Sequence, residues 1–387
     1  MKSRRELIMA LGAVPILVAC GGEAAAPAKA EPTKAPASAA APTTAAAAAA
    51  PTKAAEPTKA PAAAEPTKAP AAAAPAKVLK VGLVTDVGKV DDKSFNESAW
   101  TGAKKGAADI KGESKYVETQ NPNDYKKNIE QFVSEKYDII VTVGFLLGEA
   151  TIEAAKANPT IKFIGVDQFQ EKALENLAGL IFEEDKAGYL VGSLAALYSK
   201  SGKVGAVLAT DVVPPVWRFG EGFRAGAKAA KAGDIQIVYH SDVGPEKTFD
   251  DPEWGKATAL SMIDKGVDVI FGAGGKTGNG ALYGVADRKD KGVVAIGVDS
   301  DQWNTVPEAK AVLLSSGMKI IDQGVADIIK AVADGKFKGG NVNGKVGLAP
   351  FHDLDAKVDA SIKTKLEDIR KQLDAGTLKT DVKPAKG

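Results

Sequence analysis

From residue 79 onward, apolar runs of strand length alternate with segments of helical pattern, and this alternation limits the possible folds more than any other feature of the chain. The runs fall at 79–85, 116–119, 139–143, 163–166 and 177–182, then at 204–209, 235–239, 267–271, 293–298 and 312–314. Helical patterns lie between them at 96–108, 125–134, 147–157, 187–198, 219–232, 256–263, 281–289 and 320–333. Most runs are continuously apolar instead of alternating. That is the pattern of strands in parallel sheets covered by helices on both faces. About five runs precede a break near 182–186, and about as many follow it. Two doubly wound lobes account for this more economically than one very large sheet. Roughly 310 residues also suit two domains.

The first 77 residues have another character. Lys2, Arg4 and Arg5 precede an apolar stretch from Leu7 to Ala19, which ends in Leu17-Val18-Ala19-Cys20-Gly21. A basic start, a short apolar core and small residues at the end make a signal peptide over 1–19, not a transmembrane helix. The last five residues resemble a bacterial lipobox, which implies cleavage before Cys20 and acylation of its thiol. Several acyl chains would hold the protein at the outer face of the cell membrane, since each buried methylene contributes roughly 0.8 kcal/mol. Ser3-Arg4-Arg5-Glu6-Leu7-Ile8 also resembles a twin-arginine signal, so both export routes stay open. Residues 20–77 then form a linker in which Glu-Pro-Thr-Lys-Ala-Pro recurs at 31–36, 56–61 and 65–70. Proline aside, it has no apolar residue larger than alanine from Ala24 to Lys77 and cannot bury a core. Fully extended at about 3.1 Å per residue, such a stalk would reach on the order of 170 Å.

Ligands of open α/β sheets bind beyond the carboxyl ends of the strands. The residues following the runs are Asp86, then Gly144 and Phe145, then Asp167 and Gln168. In the second half they are Asp211 to Phe219, Gly272 to Gly280, and Asp299 to Asp301. Carboxylates, aromatic rings and glycine backbone suit a neutral ligand that is polyhydroxylated or heteroaromatic. Carboxylates accept hydrogen bonds from hydroxyls and ring N–H groups, and phenyl rings stack on a flat base. No Ser-His-Asp or Cys-His set is apparent, so no catalytic residues are expected. Cys20 is the only cysteine, and His240 and His352 are the only histidines. Cysteine-based zinc, disulfides and a multi-histidine metal site drop out, and no metal or cofactor is expected. A net charge of +1 gives no electrostatic footprint for nucleic acid.

Two features point elsewhere. Gly272-Ala273-Gly274-Gly275-Lys276-Thr277-Gly278 looks like a phosphate loop, but the first glycine of that motif would fall at Ile270. A glycine-rich strand-to-helix turn is the better reading, and its backbone could still approach a ligand. The adjacent acids Asp91-Asp92 and Glu183-Glu184 read as solvated loop residues, since neighbours in sequence rarely converge on one ligand.

The stretch Val84-Thr85-Asp86-Val87-Gly88-Lys89-Val90-Asp91-Asp92-Lys93-Ser94-Phe95-Asn96-Glu97-Ser98-Ala99-Trp100 resembles the signature of the basic membrane protein family. These are lipoprotein substrate-binding components of ABC transporters, and the purine-nucleoside-binding PnrA type is the nearest. The resemblance runs over nearly all of 78–350. Further pieces are Gly165-Val166-Asp167-Gln168, Pro214 to Phe223, Gly297 to Gln302 and Ser315 to Lys319. It implies a type I periplasmic-binding-protein fold, with two Rossmann-like lobes, a hinge of three crossing strands and a ligand between the lobes. The implied partners are a purine nucleoside, an ABC permease and the membrane through Cys20, for a monomer that is not an enzyme.

Residue by residue, the resemblance implies that Asp86 and Asn96 bond the purine edge and that Phe95 and Phe219 sandwich the ring. Asp167 helps at the base or the inter-lobe face. Gly274 or Gly275 approaches with its backbone. Asp299 accepts ribose hydroxyls, and Lys319 bonds a ribose oxygen. Departures from the pattern are Lys89, for an expected glycine, and Glu97, where glutamine is common; both are expected beside the site. The hinge is expected near 182–186, 313–319 and 335–341. The N-terminal lobe then comprises 78–185 plus 315–337, and the C-terminal lobe 186–314 plus 338–387. A sugar or signal-molecule receptor of the same fold, a nucleoside hydrolase and an adhesive lipoprotein are the alternatives.

Overall fold

The computed structural model describes residues 77–386. The signal peptide, Cys20 and nearly all of the linker lie outside the described residues. Among the described residues, twelve strands form two sheets. The strands of the first are β1 (Lys80–Thr85), β2 (Glu113–Val117), β3 (Ile139–Val143), β4 (Lys162–Val166) and β5 (Leu177–Ile181), joined late in the chain by β11 (Gly340–Asn343). Those of the second are β6 (Lys203–Leu208), β7 (Asp234–Tyr239), β8 (Val269–Ala273), β9 (Val294–Asp299), β10 (Leu313–Lys319) and β12 (Val346–Leu348). The helices are α1 (Phe95–Asp109), α2 (Tyr125–Ser134), α3 (Gly148–Ala157), α4 (Glu184–Tyr198), α5 (Pro214–Ala229), α6 (Pro245–Thr248), α7 (Pro252–Asp264), α8 (Gly275–Ala286), α9 (Gln302–Thr305), α10 (Ile321–Ala333) and α11 (Ala360–Asp374).

Both sheets have the same order. The first runs β11-β5-β4-β3-β1-β2 and the second β12-β10-β9-β8-β6-β7. Every neighbouring pair is parallel except β10–β12. Strands such as β3 are buried along their whole length, as their continuous apolar sequence requires. In the first lobe, Ala99, Ala103 and Ala107 of α1 and Val325 and Ile329 of α10 cover one face. Tyr125, Ile129 and Phe132 of α2 cover the other together with α3. In the second lobe α4, α5 and α11 lie on one face, and α7 and α8 on the other. Helices α4 and α5 touch backbone to backbone: a Cβ at Gly192 would come within 2.0 Å of the Phe223 carbonyl oxygen.

The chain passes between lobes at Phe182–Glu183, at Lys319–Ile320 and at Gly344–Lys345. The crossings are tied together, with the Ile320 N–H donating to the Lys345 carbonyl (2.9 Å) and the Gly344 N–H to that of Ile181 (2.7 Å). These positions correct the lobe boundaries. Residues 315–319 finish β10 and belong to the second sheet, and 338–343 lead into and form β11 of the first. The third crossing therefore falls after 343 and not within 335–341. Strands β11 and β12 escape a sequence reading because Gly-Asn-Val-Asn and Val-Gly-Leu are too short and too polar or glycine-rich to form an apolar run.

Candidate functional site

Register aligns the ends of the central strands. Val81 pairs with Ile139 and Thr85 with Val143, and Val143 pairs with Val166. The next residues step across the sheet edge. The Asp86 N–H donates to the Val143 carbonyl (2.9 Å), Gly144 N–H to Val166 (3.1 Å) and Asp167 N–H to Leu180 (2.8 Å). The second lobe repeats the arrangement with Gly274 after β8 and Asp299 ending β9. Asp167 and Asp299 both adopt left-handed backbone, φ 62° each, and Gly144 and Gly274 have φ 114° and 105°. At Gly144 even alanine is excluded, since its Cβ would lie 1.9 Å from an Asp86 carboxylate oxygen.

These two edges face each other across a cavity with about 730 Å³ of empty space, counting its open side. All nine residues expected at the site line it: Asp86, Phe95, Asn96, Asp167, Phe219, Gly274, Gly275, Asp299 and Lys319. Phe95 comes from the first lobe and Phe219 from the second. Phe219 is buried against Phe271, with ring centres 6.0 Å apart. Val213, Pro215, Val216 and Lys276, within the strand-end stretches 211–219 and 272–280, also line the cavity, as does Phe249, which the sequence does not foretell. Pro215 and Val216 open α5 and Lys276 opens α8, Val213 precedes α5 and Phe249 follows α6; which of these faces the cavity is decided by lobe packing, so periodicity carries no sign of it. Lys89 lines the cavity as well, contrary to its expected place beside it, whereas Glu97 does not and instead pairs with Lys93 (3.7 Å).

The loop 91–94 is the junction of the lobes. Asp92 is buried, not solvated. One of its carboxylate oxygens accepts from the N–H groups of Ser94 (3.0 Å) and Glu97 (3.1 Å), and the other from the N–H (2.9 Å) and the side-chain amide (3.0 Å) of Asn96. It thereby closes the first turn of α1 and fixes Asn96. The second lobe grips the loop's backbone. Asn279 donates to the Asp92 carbonyl (2.7 Å), and Gln302 (3.1 Å) and Thr305 (2.7 Å) donate to that of Lys93. Ser94 donates to Asp299 across the gap (2.8 Å), and Lys276 pairs with Asp91 (2.9 Å).

A buried charge chain forms another part of the site. The Lys319 ammonium lies 2.5 Å from Asp167 and 3.3 Å from Glu184. It also sits 4.8 Å from the centre of the Phe95 ring and 4.9 Å from that of Phe182. Glu184 is fully buried and bound by Arg218 at 2.6 Å. The reading of Glu183-Glu184 as a solvated pair is thus wrong for Glu184. Its counter-charges lie far along the sequence, so adjacency to another acid misleads.

Burial dominates the titration of these acids. It raises Asp86 to about 7, with Asp167 and Asp92 adding to the rise against the N–H of Gly88. Asp299 is raised to about 7 by burial, with Lys319 and Ser94 opposing. Asp167 reaches about 6, where burial outweighs the attraction of Lys319. For Lys319 burial works against its charge, but Asp167, Glu184 and Asp299 outweigh it and raise its pKa. Two buried acceptor atoms of residues lining the cavity, Asn96 Oδ1 and Asp167 Oδ1, have no hydrogen-bond partner among the described residues. An unmet buried acceptor costs about 1–3 kcal/mol, so the cavity favours a neutral ligand that brings N–H and O–H donors.

Comparison with known proteins agrees with this geometry. The family model described as ABC transporter substrate-binding protein PnrA-like matches residues 79–348. The CD4+ T-cell-stimulating antigen of Listeria monocytogenes is 34% identical over 326 residues, covering 79% of this chain and 88% of that one. The ABC transporter nucleoside-binding protein BmpA of Lactococcus lactis is 33% identical over 314 residues, with 75% and 86% covered. Among solved structures, an ABC transporter system solute-binding protein from Aeropyrum pernix K1 superposes with a TM-score of 0.69 at 27% identity, over 78% of this chain and 92% of that one. The chain, a two-lobed α/β protein of the type I periplasmic-binding-protein fold, therefore belongs to the family of PnrA-like ABC transporter substrate-binding proteins.

Proposed function

We propose that this chain captures purine nucleosides between its lobes and delivers them to an ABC permease while tethered to the outer face of the cell membrane through acylated Cys20. The observation that supports this most is the pairing of Phe95 and Phe219, from opposite lobes, in one cavity with acceptors that lack partners. A purine stacks between two rings, and base stacking contributes roughly 1–3 kcal/mol per base. Asp86 and the Asn96 carbonyl oxygen accept from the ring N–H or amino groups. Asp299 accepts from ribose hydroxyls, and Lys319 donates to a ribose oxygen. Asp167 holds Lys319 and offers its free oxygen beside it. Gly274 and Gly275, without side chains, let the backbone of the second lobe approach the ligand. That the Lactococcus lactis relative is named a nucleoside-binding protein is in line with this reading.

Ligand binding favours the closed arrangement of the lobes by its differential affinity for it. Calorimetric titration of the folded domain with adenosine, guanosine and inosine, with ribose as competitor, tests the ligand. Saturable binding of at least one nucleoside and weak competition by ribose are expected, and no binding to any of the three sinks the proposal. The tether is tested by mass spectrometry of the N-terminal peptide, where an unmodified Cys20 in the mature membrane fraction would contradict it.

A further inference from the structure

The match to the family model ends at residue 348, and the chain continues for almost forty residues beyond it. The helix α11 accounts for part of that length, packing Ile362 and Leu366 into the core of the second lobe. It stops at Asp374, where Gly376 takes left-handed backbone (φ 67°) and its N–H donates to the Leu373 carbonyl (3.1 Å). Beyond this turn the chain leaves the helix and lays one face on the body of the lobe. Leu378, Thr380 and Val382 are half-buried, while Lys379, Asp381 and Lys383, each following one of them, are exposed. Leu378 packs on Tyr189, Leu190 and Leu373.

Three polar contacts then carry this segment toward the ligand cavity. The Thr380 hydroxyl donates to Asp185 in the first turn of α4. The Pro384 carbonyl accepts from Arg218 Nη1 (3.1 Å). Lys386 pairs with Asp211 in the loop after β6. The last two contacts bracket residues 212–217. That stretch supplies Val213, Pro215 and Val216 to the cavity wall, and Phe219 lies just beyond it. Within its own lobe, Asp211 exchanges hydrogen bonds with Ser241 and the Val212 N–H donates to Thr210 in the short loop before α5, while in the first turn of α5 the Val216 and Trp217 N–H groups donate to the Val213 carbonyl and Trp217 stacks on Tyr239 (ring centres 6.2 Å apart). Arg218 is the shared element. Its Nε and Nη2 hold Glu184 at 2.7 and 2.6 Å, and Glu184 in turn faces Lys319.

We propose that residues 378–386 are a positioning strap for the ligand site, fixing the start of α5, and through Arg218 the Glu184–Lys319 charge chain, in the geometry that closes on the ligand. This rests on the reading of the cavity as the ligand site, though not on which ligand fills it. The strap touches no part of the cavity itself. It acts by removing alternative positions of the wall that carries Phe219, which lowers the cost of ordering that wall on binding.

The test compares the full chain with a chain ending at Leu378, and with the full-length variants Thr380→Val/Lys386→Met and Lys386→Arg. Hydrogen exchange of the ligand-free proteins is measured first. Amides 211–219 should exchange faster in the truncated chain and in the double variant, while amides of β3 stay as protected as before. Lys386→Arg keeps a cation for Asp211 and should restore the slow exchange. Nucleoside dissociation, followed by displacement of a radiolabelled nucleoside with excess unlabelled ligand, should then speed up roughly fivefold or more on truncation, as expected for loss of several partly exposed polar contacts. Unchanged exchange at 211–219 in the truncated chain overturns the strap, as does an unchanged dissociation rate. If the parent chain binds no nucleoside, the proposed function fails while the exchange measurement still decides the strap. If truncation unfolds the second lobe, the full-length double variant decides it.

Discussion

Replacing Lys319 with methionine probes the buried charge chain most directly. Methionine keeps the length of the side chain and removes the ammonium. Glu184 retains Arg218 at 2.6 Å, so the loss falls mainly on Asp167, whose side chain is only 5% exposed and whose other oxygen has no partner among the described residues, and in lesser part on Asp299, whose pKa Lys319 also keeps from rising further. Breaking a buried pair by removing one member costs about 3–5 kcal/mol. The pH dependence is the sharper signature. The pKa of Asp167 is raised to about 6 in the folded parent, so between the unfolded value near 3.9 and that point the native state holds a proton that the unfolded state lacks. Stability then falls as pH rises, and the fall ends once pH passes the folded pKa. Without the ammonium the folded pKa moves higher still, and the fall continues. Above about pH 6 the stability gap between parent and variant should therefore widen by about 1.4 kcal/mol per pH unit until Asp167 ionises in the variant as well. Urea denaturation of both ligand-free proteins at several pH values from about 5 to 8 measures it. A gap that stays constant between about pH 6 and 8 would show that Asp167 is not the group neutralised, and would refute the argument.

Phe219→Ala should weaken nucleoside binding by roughly 1–3 kcal/mol if the ring forms one side of a base stack, and calorimetry that finds unchanged affinity removes it from the site. Asp86 and Asp299 are both raised to about 7, so the ligand-free parent should melt higher near pH 5 than near pH 8, and a melting temperature that is flat or rising over that range contradicts the burial of these acids. A ligand that donates hydrogen bonds to the same carboxylates favours their ionised forms, so nucleoside affinity should increase from about pH 6 to pH 8 with proton release on binding, seen in calorimetry as a dependence on buffer ionisation enthalpy.

The site was legible where chemistry comes directly after a strand. Asp86, Asp167 and Asp299 each end an apolar run, and Phe95 and Phe219 each lie at or near a helix start after such a run. Strand ends converge in this class of sheet, so linear position places Asp86, Asp167, Asp299 and Phe219 at one edge, whereas Phe95 came from the family resemblance. The charge chain was not legible. Glu184 has its nearest acid next door and its counter-charge, Arg218, 34 residues away, and only the packing of α4 on α5 brings the two together. The same holds for Asp92, whose partners are mostly backbone N–H groups that exist in that arrangement only once α1 has formed. The third crossing was misplaced because β11 gains its strand character from pairing with β5 and not from its own residues.

The grip of the second lobe on residues 92 and 93 runs through main-chain oxygens, with Lys93 holding the left-handed backbone (φ 60°) within that loop. A carbonyl is the same whichever side chain it carries. The device that holds the two halves shut is thus largely separate, in sequence terms, from Asp86, Phe95 and Asn96 a few positions away. Substitutions can retune which molecule is accepted while leaving the means of enclosing it untouched, and that separation gives a receptor of this design room to diversify its cargo without relearning how to close.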